Sequence, residues 1–267
     1  MVKIDLVRLK TENIAEINYL FRQVYPGRSM PDQFWYWCFN CPYEYVSRGI
    51  RYNDKLVGYY AFFKYLWNGF CVSAMIHPKY RKKGLFKELS KFTHLDALLK
   101  HNLDYLWLFS NEMIHPIHKK NGFVDIKQIK EYRVPIKDIT PHRGFGFYPK
   151  QFKDKSYDKW RYKDHPLNKY IYYRNPTSGD YIIMSTYENR IQIISCSNIE
   201  RVIGLVGFIG EMLNKEIISF WSEREFEYPF IMLPTWLMYL NLKYTNKKRL
   251  EEILKNQPLS MGVSDVF

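Results

Sequence analysis

The chain of 267 residues has few cysteines, no long apolar run and a shortage of acidic side chains. Four cysteines are too few and too scattered for a disulfide scaffold, and the lone Cys38-x-x-Cys41 pair lacks the second pair that a zinc site needs. The most apolar stretch, 202–213, contains Glu211 and is shorter than the roughly 20 residues that cross a bilayer. Because no signal peptide opens the sequence, we expect a cytoplasmic protein. From the short apolar stretch we expect no membrane span, and from the incomplete cysteine pattern we expect no bound metal.

The shortage of acids leaves an excess of positive charge, with 40 Lys and Arg against 27 Asp and Glu and a formal net charge of +13. Such an excess is typical of nucleic-acid binders, membrane-surface proteins and proteins that handle a polyanionic small molecule. The basic clusters at 79–83, 119–120 and 247–249 are too short for a basic tail, and no nucleic-acid-binding motif accompanies them. We therefore expect no nucleic-acid partner, and a local anion site becomes the better explanation.

Apolar periodicity predicts an α/β protein with a mixed sheet. The order along the first half is a strand, two helices, a three-strand meander, a basic loop with a helix, a strand, a short helix and a last strand that ends near Val134. The segment 140–155 has no period and is rich in Pro, Gly and aromatic residues, which indicates a linker. The predicted domains are therefore 1–139 and 156–267, the second being a smaller α/β unit.

Three glycines of the second half, Gly204, Gly207 and Gly210, recur at three-residue spacing inside an apolar run. A glycine-rich phosphate loop would follow a strand and be accompanied by basic residues, and neither condition holds here. The spacing therefore favours close packing of a helix against its neighbours.

The segment 70–123 carries the strongest functional signal. A predicted strand ends at His77-Pro78, a basic loop Arg81-Lys82-Lys83 follows, and Gly84 opens an amphipathic helix. The first turn of a helix presents N–H groups without intrahelical partners, and the helix dipole adds positive charge there. Gly84 has no Cβ that would hold an anion away from the backbone. This arrangement predicts a phosphate-binding site.

The same loop resembles the acyl-CoA-binding motif of the GNAT N-acetyltransferase superfamily, Arg/Gln-x-x-Gly-x-Gly/Ala. It reads Arg81-Lys82-Lys83-Gly84-Leu85-Phe86, with Phe86 in place of the usual small third residue. Family members also have an Asn before a helix and Gly-Phe at the last strand, and here Asn111 is followed eleven residues later by Gly122-Phe123. The resemblance covers 1–135 and implies the GNAT acyl-CoA N-acyltransferase fold. A second, smaller GNAT-like half would follow, as in bacterial two-part GNAT proteins.

The resemblance also implies which residues bind the co-substrate, acetyl-CoA. Backbone N–H groups of the loop would hold the pyrophosphate, the strand edge at 75–77 would pair with the pantetheine amides, and Asn111 would contact the pantetheine arm. Lysines of the loop or at 119–120 would meet the 3′-phosphate. The predicted cofactor-binding residues are Met75, Ile76, His77, Arg81, Lys82, Lys83, Gly84, Leu85, Phe86 and Asn111.

Family members usually transfer the acyl group directly, with an acid for the leaving thiolate and a base for the attacking amine. The acid is often a Tyr four residues before Gly-Phe, and His118 occupies that position here. An imidazole with an unperturbed pKa of about 6.5 suits proton transfer near neutral pH. The base is often a Glu on the central strand, but 70–76 contains no acid. The alternatives are His77, His115, Glu112, a water-linked group, or an amine that binds already neutral.

The implied activity is transfer of an acetyl group to the primary amine of a small acceptor. The acceptor that we expect is an amino sugar or nucleotide amino sugar of bacterial surface polysaccharide biosynthesis, and the second half would wall its pocket or form a homodimer contact. Two alternatives stay open: a protein or peptide N-acetyltransferase, and a non-catalytic protein that binds acyl-CoA or a nucleotide sugar. The aromatic residues that suit either sugar stacking or core packing are Trp35, Trp37, Trp160 and Tyr162.

Overall fold

The computed structural model describes residues 3–142, 144, 146–151, 157–222 and 224–243. These residues form two compact units, of which the first holds 3–127 with 236–243 and the second holds the described part of 128–235. No helix in this part of the chain is both long and apolar enough to cross a membrane.

The division differs from the predicted domains 1–139 and 156–267 in two ways. It falls inside one strand, Val124–Pro135, and the last strand of the described residues, Phe230–Asn241, contributes residues from Trp236 onward to the first unit. Met238 of that strand is fully buried in the core of the first unit. Local sequence patterns do not reveal that residues after Trp236 join the first unit, because pairing between distant segments leaves no local period.

The first unit is built from five strands, four helices and the end of the last strand. Its strands are β1 Ile4–Leu9, β2 Tyr45–Tyr52, β3 Lys55–Tyr65, β4 Asn68–Ile76 and β5 Tyr105–Asn111. Its helices are α1 Ile14–Val24, α2 Asp32–Phe39, α3 Leu85–Leu99 and α4 His115–Lys120, with one-turn 3₁₀ helices at Thr11–Asn13 and Pro78–Tyr80.

The second unit contains α5 Ile199–Met212 and the remaining strands, of which the first begins and the last ends in the first unit. These are β6 Val124–Pro135, β7 Tyr148–Pro149, β8 Tyr170–Arg174, β9 Tyr181–Tyr187, β10 Arg190–Cys196, β11 Ile217–Trp221 and β12 Phe230–Asn241. A 3₁₀ turn covers Ile136–Asp138 and a π-helical turn covers Lys159–Lys163. The predicted linker 140–155 lies partly outside the described residues, and within it β7 pairs with β8.

The sheet of the first unit has the order β1-β2-β3-β4-β5-β12, in which only β4 and β5 run parallel among the strands of known register. One face packs against α3, whose apolar residues recur at helical spacing as predicted, and Tyr60 and Phe62 of β3 belong to this core. Tyr59, which precedes Tyr60, points to the opposite face and meets Trp35 of α2 with ring centroids 5.7 Å apart. The two helix layers therefore cover opposite faces of one sheet.

The second unit has the order β6-β11-β10-β9-β8-β7, and α5 packs on its core. The three spaced glycines allow this contact, which confirms the prediction. A Cβ on Gly207 would lie 3.0 Å from Ile139, and a Cβ on Gly204 or Gly210 would overlap His142 or Ile136. The glycines therefore serve close packing of the helix.

Candidate active site

The strands β4 and β5 form a fork. They pair at only three positions, from Asn68↔Tyr105 to Phe70↔Trp107. Beyond this closed end each strand continues, and the described residues show no further pairing between them. The outer edge of β4 stays bonded to β3 as far as Gly58↔Ile76. The inner edge of β4 therefore offers free backbone N–H and C=O groups, to which an extended ligand with amides can bond as an added strand.

A β-bulge in β4 causes this divergence. Tyr59 and Ala61 of β3 oppose Met75 and Val72, so β4 has one extra residue between these pairs. The bulge contains Ser73, whose φ of 53° lies in the left-handed region that non-glycine residues rarely adopt. Because a bulge bends its strand and raises the local twist, β4 turns away from β5 just above the closed end.

The N-terminus of α3 lies directly after the open end of β4. Lys82 and Gly84 both have left-handed backbone, with φ of 63° and 77°. A Cβ on Gly84 would meet nothing within 4 Å, so the space in front of the helix is open. The first helical N–H with a carbonyl partner is that of Lys87, which donates to the Gly84 oxygen at 3.0 Å. The N–H groups of 82–86 have no partner among the described residues, as an anion site requires.

The basic side chains of the loop have different surroundings. Arg81 donates from Nε to the Ile76 carbonyl at 3.1 Å and so ties the loop to the end of β4. The Lys83 ammonium lies over the rings of Tyr52 and Tyr80, 5.7 and 5.3 Å from their centroids. Lys82 is exposed. Charge therefore surrounds the helix N-terminus, but only Lys82 is free of these contacts.

His77 holds the loop in place. Its Nδ1 accepts a hydrogen bond from the Lys79 N–H at 3.2 Å, and its ring packs edge-on against Tyr80. Partial burial, together with the positive charges of Lys79 and Arg81, lowers the pKa of His77. The imidazole is therefore neutral at neutral pH and caps the turn, while its predicted role as a base stays a prediction.

Asn111 and Glu112 lie at the open end of β5. The Asn111 side-chain oxygen accepts a hydrogen bond from the Ile114 N–H at 3.2 Å, which starts the turn into α4. Glu112 is exposed and has no charged partner among the described residues. The structure thus places Asn111 beside the fork, whereas Glu112 has no contact that would orient it for proton transfer.

His118 is buried on α4, with only 4% of its surface exposed. Its ring packs edge-on against Phe86 and Phe123, at 6.0 and 5.3 Å between centroids. Burial, helped by the nearby His115, lowers the pKa of His118 to about 4. The ring is therefore neutral at neutral pH, and its predicted role as the general acid stays a prediction.

The other predicted cofactor residues divide between core and site. Met75 is buried on β4, and Leu85 is buried in the core under α3. Phe86 is half-buried and packs against Tyr60 at 5.7 Å. Its bulk therefore fills space behind the loop and leaves the opening at Gly84 clear.

His115 is held by two neighbours on the α4 side. Its Nε2 lies 2.7 Å from Asp125, and its ring stacks on Trp236 at 4.3 Å. Burial alone would raise the pKa of Asp125, but hydrogen bonds from His115 and Lys119 outweigh it and lower that pKa. Lys119 is thereby engaged at 3.1 Å, which leaves the exposed Lys120 as the freer lysine of the predicted pair.

The four aromatic residues considered for sugar stacking all belong to the core. Each is less than a tenth exposed, and the set is Trp35, Trp37, Trp160 and Tyr162. Half-buried rings lie instead at the closed end of the fork, at Phe70, Trp107 and Phe109. Sequence reasoning missed them, although their alternation with buried Leu106 and Leu108 was a usable signal.

The model of the Acetyltransferase (GNAT) family matches residues 12–123, which span α1 to the end of α4 and include the fork and the loop. Over this segment the chain is similar to the GNAT family of acetyltransferases. Outside the segment, the described chain continues with the second unit and with the returning strand β12.

Solved structures with the GNAT fold are similar over both units. A probable N-acyltransferase from Enterococcus faecalis V583 is 14% identical, with a TM-score of 0.70 over 90% of this chain and 73% of that one. A tandem GNAT protein from the clavulanic acid biosynthesis pathway is 11% identical, with a TM-score of 0.65 over 91% of this chain and all of that one. These likenesses show a tandem GNAT fold. No curated protein matches the sequence significantly.

Proposed function

We propose that this chain transfers an acetyl group from acetyl-CoA to the primary amine of a small acceptor, with an amino sugar as the first candidate. The observation that carries the proposal is the open N-terminus of α3, placed directly beside the free inner edge of β4. The similarity to the GNAT family supplies the reaction class, and the arrangement of 72–86 supports acyl-CoA as the donor.

Two parts of the donor would meet two parts of the site. The pyrophosphate would accept hydrogen bonds from the N–H groups of 82–86, with Lys82 adding charge. The pantetheine amides would bond to the inner edge of β4 at Met75 to His77, and Asn111 would face the same arm across the fork. The thioester would then lie near the bulge at Ser73, where the backbone leaves its regular pairing.

The chemistry needs one bond made and one broken. The acceptor nitrogen attacks the thioester carbonyl, the C–S bond breaks, the ammonium loses a proton and the thiolate gains one. Free backbone N–H groups on the inner edge of β4 can stabilise the oxyanion that develops on the carbonyl. No carboxylate lies on β4, and His118 is neutral, so holding the two reactants together carries most of the catalysis, with proton transfer through water.

Because no carboxylate on β4 can take a proton from the attacking amine, the site favours a weakly basic acceptor. An amine that is already neutral at pH 7 needs no base on the enzyme before it attacks. The amine of an amino sugar is less basic than an alkyl amine, because neighbouring hydroxyl groups withdraw electrons from it. An amino sugar therefore suits this fork better than a polyamine does.

A CoA-release assay against matched acceptors tests the proposal. We expect free CoA to be released with an amino sugar or nucleotide amino sugar, and more slowly with a polyamine or an N-terminal peptide. A faster reaction with the peptide would favour the protein acetyltransferase alternative. Binding of acetyl-CoA without release with any of these acceptors would favour a non-catalytic acyl-CoA-binding protein.

A further inference from the structure

Three aromatic rings cluster at the closed end of the fork, and we call Phe70, Trp107 and Phe109 the aromatic floor. The rings of Phe70 and Trp107 lie 4.5 Å apart, and Phe109 lies 6.2 and 6.1 Å from these two. Phe70 and Trp107 are also the last residues at which β4 and β5 pair. The cluster therefore begins where the two strands separate.

The aromatic floor is on the face of the sheet opposite α3. Neighbouring residues in each strand, Cys71 on β4 and Leu106 and Leu108 on β5, are buried in the α3 core. Because successive side chains of a strand alternate between faces, the three rings project the other way. The phosphate site at the start of α3 and the aromatic floor thus lie on different faces, and the fork between the strands connects them.

Trp107 is held in one orientation. Its indole Nε1 donates to the Asn68 side-chain oxygen at 2.9 Å, and Asn68 is itself only 5% exposed. A ring fixed by a buried hydrogen bond and by two ring neighbours cannot move aside without losing these contacts. It forms a rigid boundary.

The α3 side of the closed end is also filled. A Cβ on Gly69 would lie 2.6 Å from Leu106, 3.0 Å from Leu103 and 3.1 Å from Phe62. Not even one methyl group fits there without displacing neighbours. A chain that reaches the closed end therefore meets packed side chains on one face and rigid rings on the other.

The donor would approach this end lengthwise. On the proposed function, the pantetheine arm enters at Ile76 and runs along the inner edge of β4 toward Val72, a distance of roughly 13 Å at about 3.3 Å per residue. The acyl group continues in the same direction, toward Phe70. We propose that the aromatic floor limits the donor to a short acyl group, acetyl or propionyl, by blocking any longer chain.

Acyl-CoA binding tests this inference without an acceptor. Isothermal titration with CoA, acetyl-CoA, butyryl-CoA and octanoyl-CoA gives affinity against chain length. We expect octanoyl-CoA to bind about tenfold or more weakly than acetyl-CoA, because overpacking a rigid cavity is costly. In Phe70→Ala we expect octanoyl-CoA to bind only about threefold more weakly than acetyl-CoA, or less, while the affinity for CoA itself stays unchanged.

Two further variants keep the test decisive. Trp67→Ala removes an exposed indole at the β3–β4 turn and should leave the dependence on chain length as in the unaltered protein. If Phe70→Ala loses CoA binding through misfolding, Phe70→Leu should bind CoA normally and show an intermediate difference.

The inference is overturned if octanoyl-CoA binds the unaltered protein as tightly as acetyl-CoA does. It is also overturned if Phe70→Ala and Phe70→Leu bind CoA but discriminate against octanoyl-CoA as strongly as the unaltered protein. Absence of any CoA binding by the unaltered protein would instead overturn the proposed function itself.

Discussion

The described residues contain two strand forks, one in each unit, and they differ in the helix that follows. In the second unit β10 and β11 pair in parallel at three positions, Arg190↔Ile217 to Gln192↔Ser219, with α5 connecting them. A bulge interrupts β10 between Ile193 and Ser195, as one interrupts β4. The fork, the bulge and the connecting helix are therefore common to both units.

The difference lies at the start of the helix. The Asn198 side chain accepts hydrogen bonds from the N–H groups of Glu200 and Arg201, at 2.9 and 3.4 Å, so the N-terminus of α5 is capped. Glu200 adds negative charge to the first turn, and the buried Asp180 lies 3.3 Å from Arg201. The protein's own groups fill the place that an anion would occupy. Of these two helix starts, that of α3 is therefore the one left open to the proposed ligand.

The first unit also depends on β12, and a substitution in the buried part of this strand should give the largest loss of stability. Met238 is fully buried in the first core, while Met232 on the same strand is 48% exposed. We expect Met238→Ala to lower the free energy of unfolding by about 2–5 kcal/mol. Met232→Ala should change it by less than about 0.5 kcal/mol. Urea denaturation measures both, and equal losses would show that β12 does not complete the first unit.

The buried His118 predicts a pH dependence of stability that belongs to the first unit. Its pKa is about 4 when folded, against about 6.5 when unfolded, so the unfolded state takes up the proton first as the pH falls. The stability that the neutral His118 contributes above pH 6.5 is lost as the pH falls from 6.5 to 4. At pH 5 the loss in the free energy of unfolding is about 2 kcal/mol.

His118→Phe should flatten this part of the profile. Unfolding measured from pH 7 to 5 checks this prediction. A decline of the same size in His118→Phe would mean that other groups cause it. In an acetyl-transfer assay, the same variant should keep most of its activity, because the proposed mechanism passes protons through water.

The smallest expected effect is at the capped helix. Asn198→Ala removes the two capping hydrogen bonds and should cost about 1 kcal/mol in the free energy of unfolding. Acetyl-CoA binding should not change, because the proposed binding site lies at the first fork. A second acetyl-CoA site in this variant would show that the cap alone closes the second fork.

Local patterns made much of the first fork predictable. The loop 81–86, the helix after it and the position of Asn111 are contiguous features, and each appears where the sequence places it. The fork itself was not predictable, because the bulge at Ser73 is visible only once β4 is paired with β3. The burial of His118 depends in part on Phe86, which is 32 residues away in the sequence.

The boundaries of the two units were missed because they depend on pairing between strands that are far apart in the sequence. The segment 128–135 continues a strand that begins in the first unit, and only its pairing with β11 assigns it to the second. Such assignments depend on which distant strand lies alongside, and neither composition nor periodicity records that.

The central claim is that, among the helices of the described residues, the start of α3 at Gly84 is the one that binds the anionic donor. Isothermal titration with acetyl-CoA tests it most directly, in the unaltered protein, in Gly84→Asp and in Gly179→Asp. Gly179 is the matched control, since its φ of 77° and its open surroundings equal those of Gly84. We predict one site per chain, weakened about 100-fold by the charge in Gly84→Asp and unchanged in Gly179→Asp. Two sites, or equal affinity in Gly84→Asp, would contradict the account.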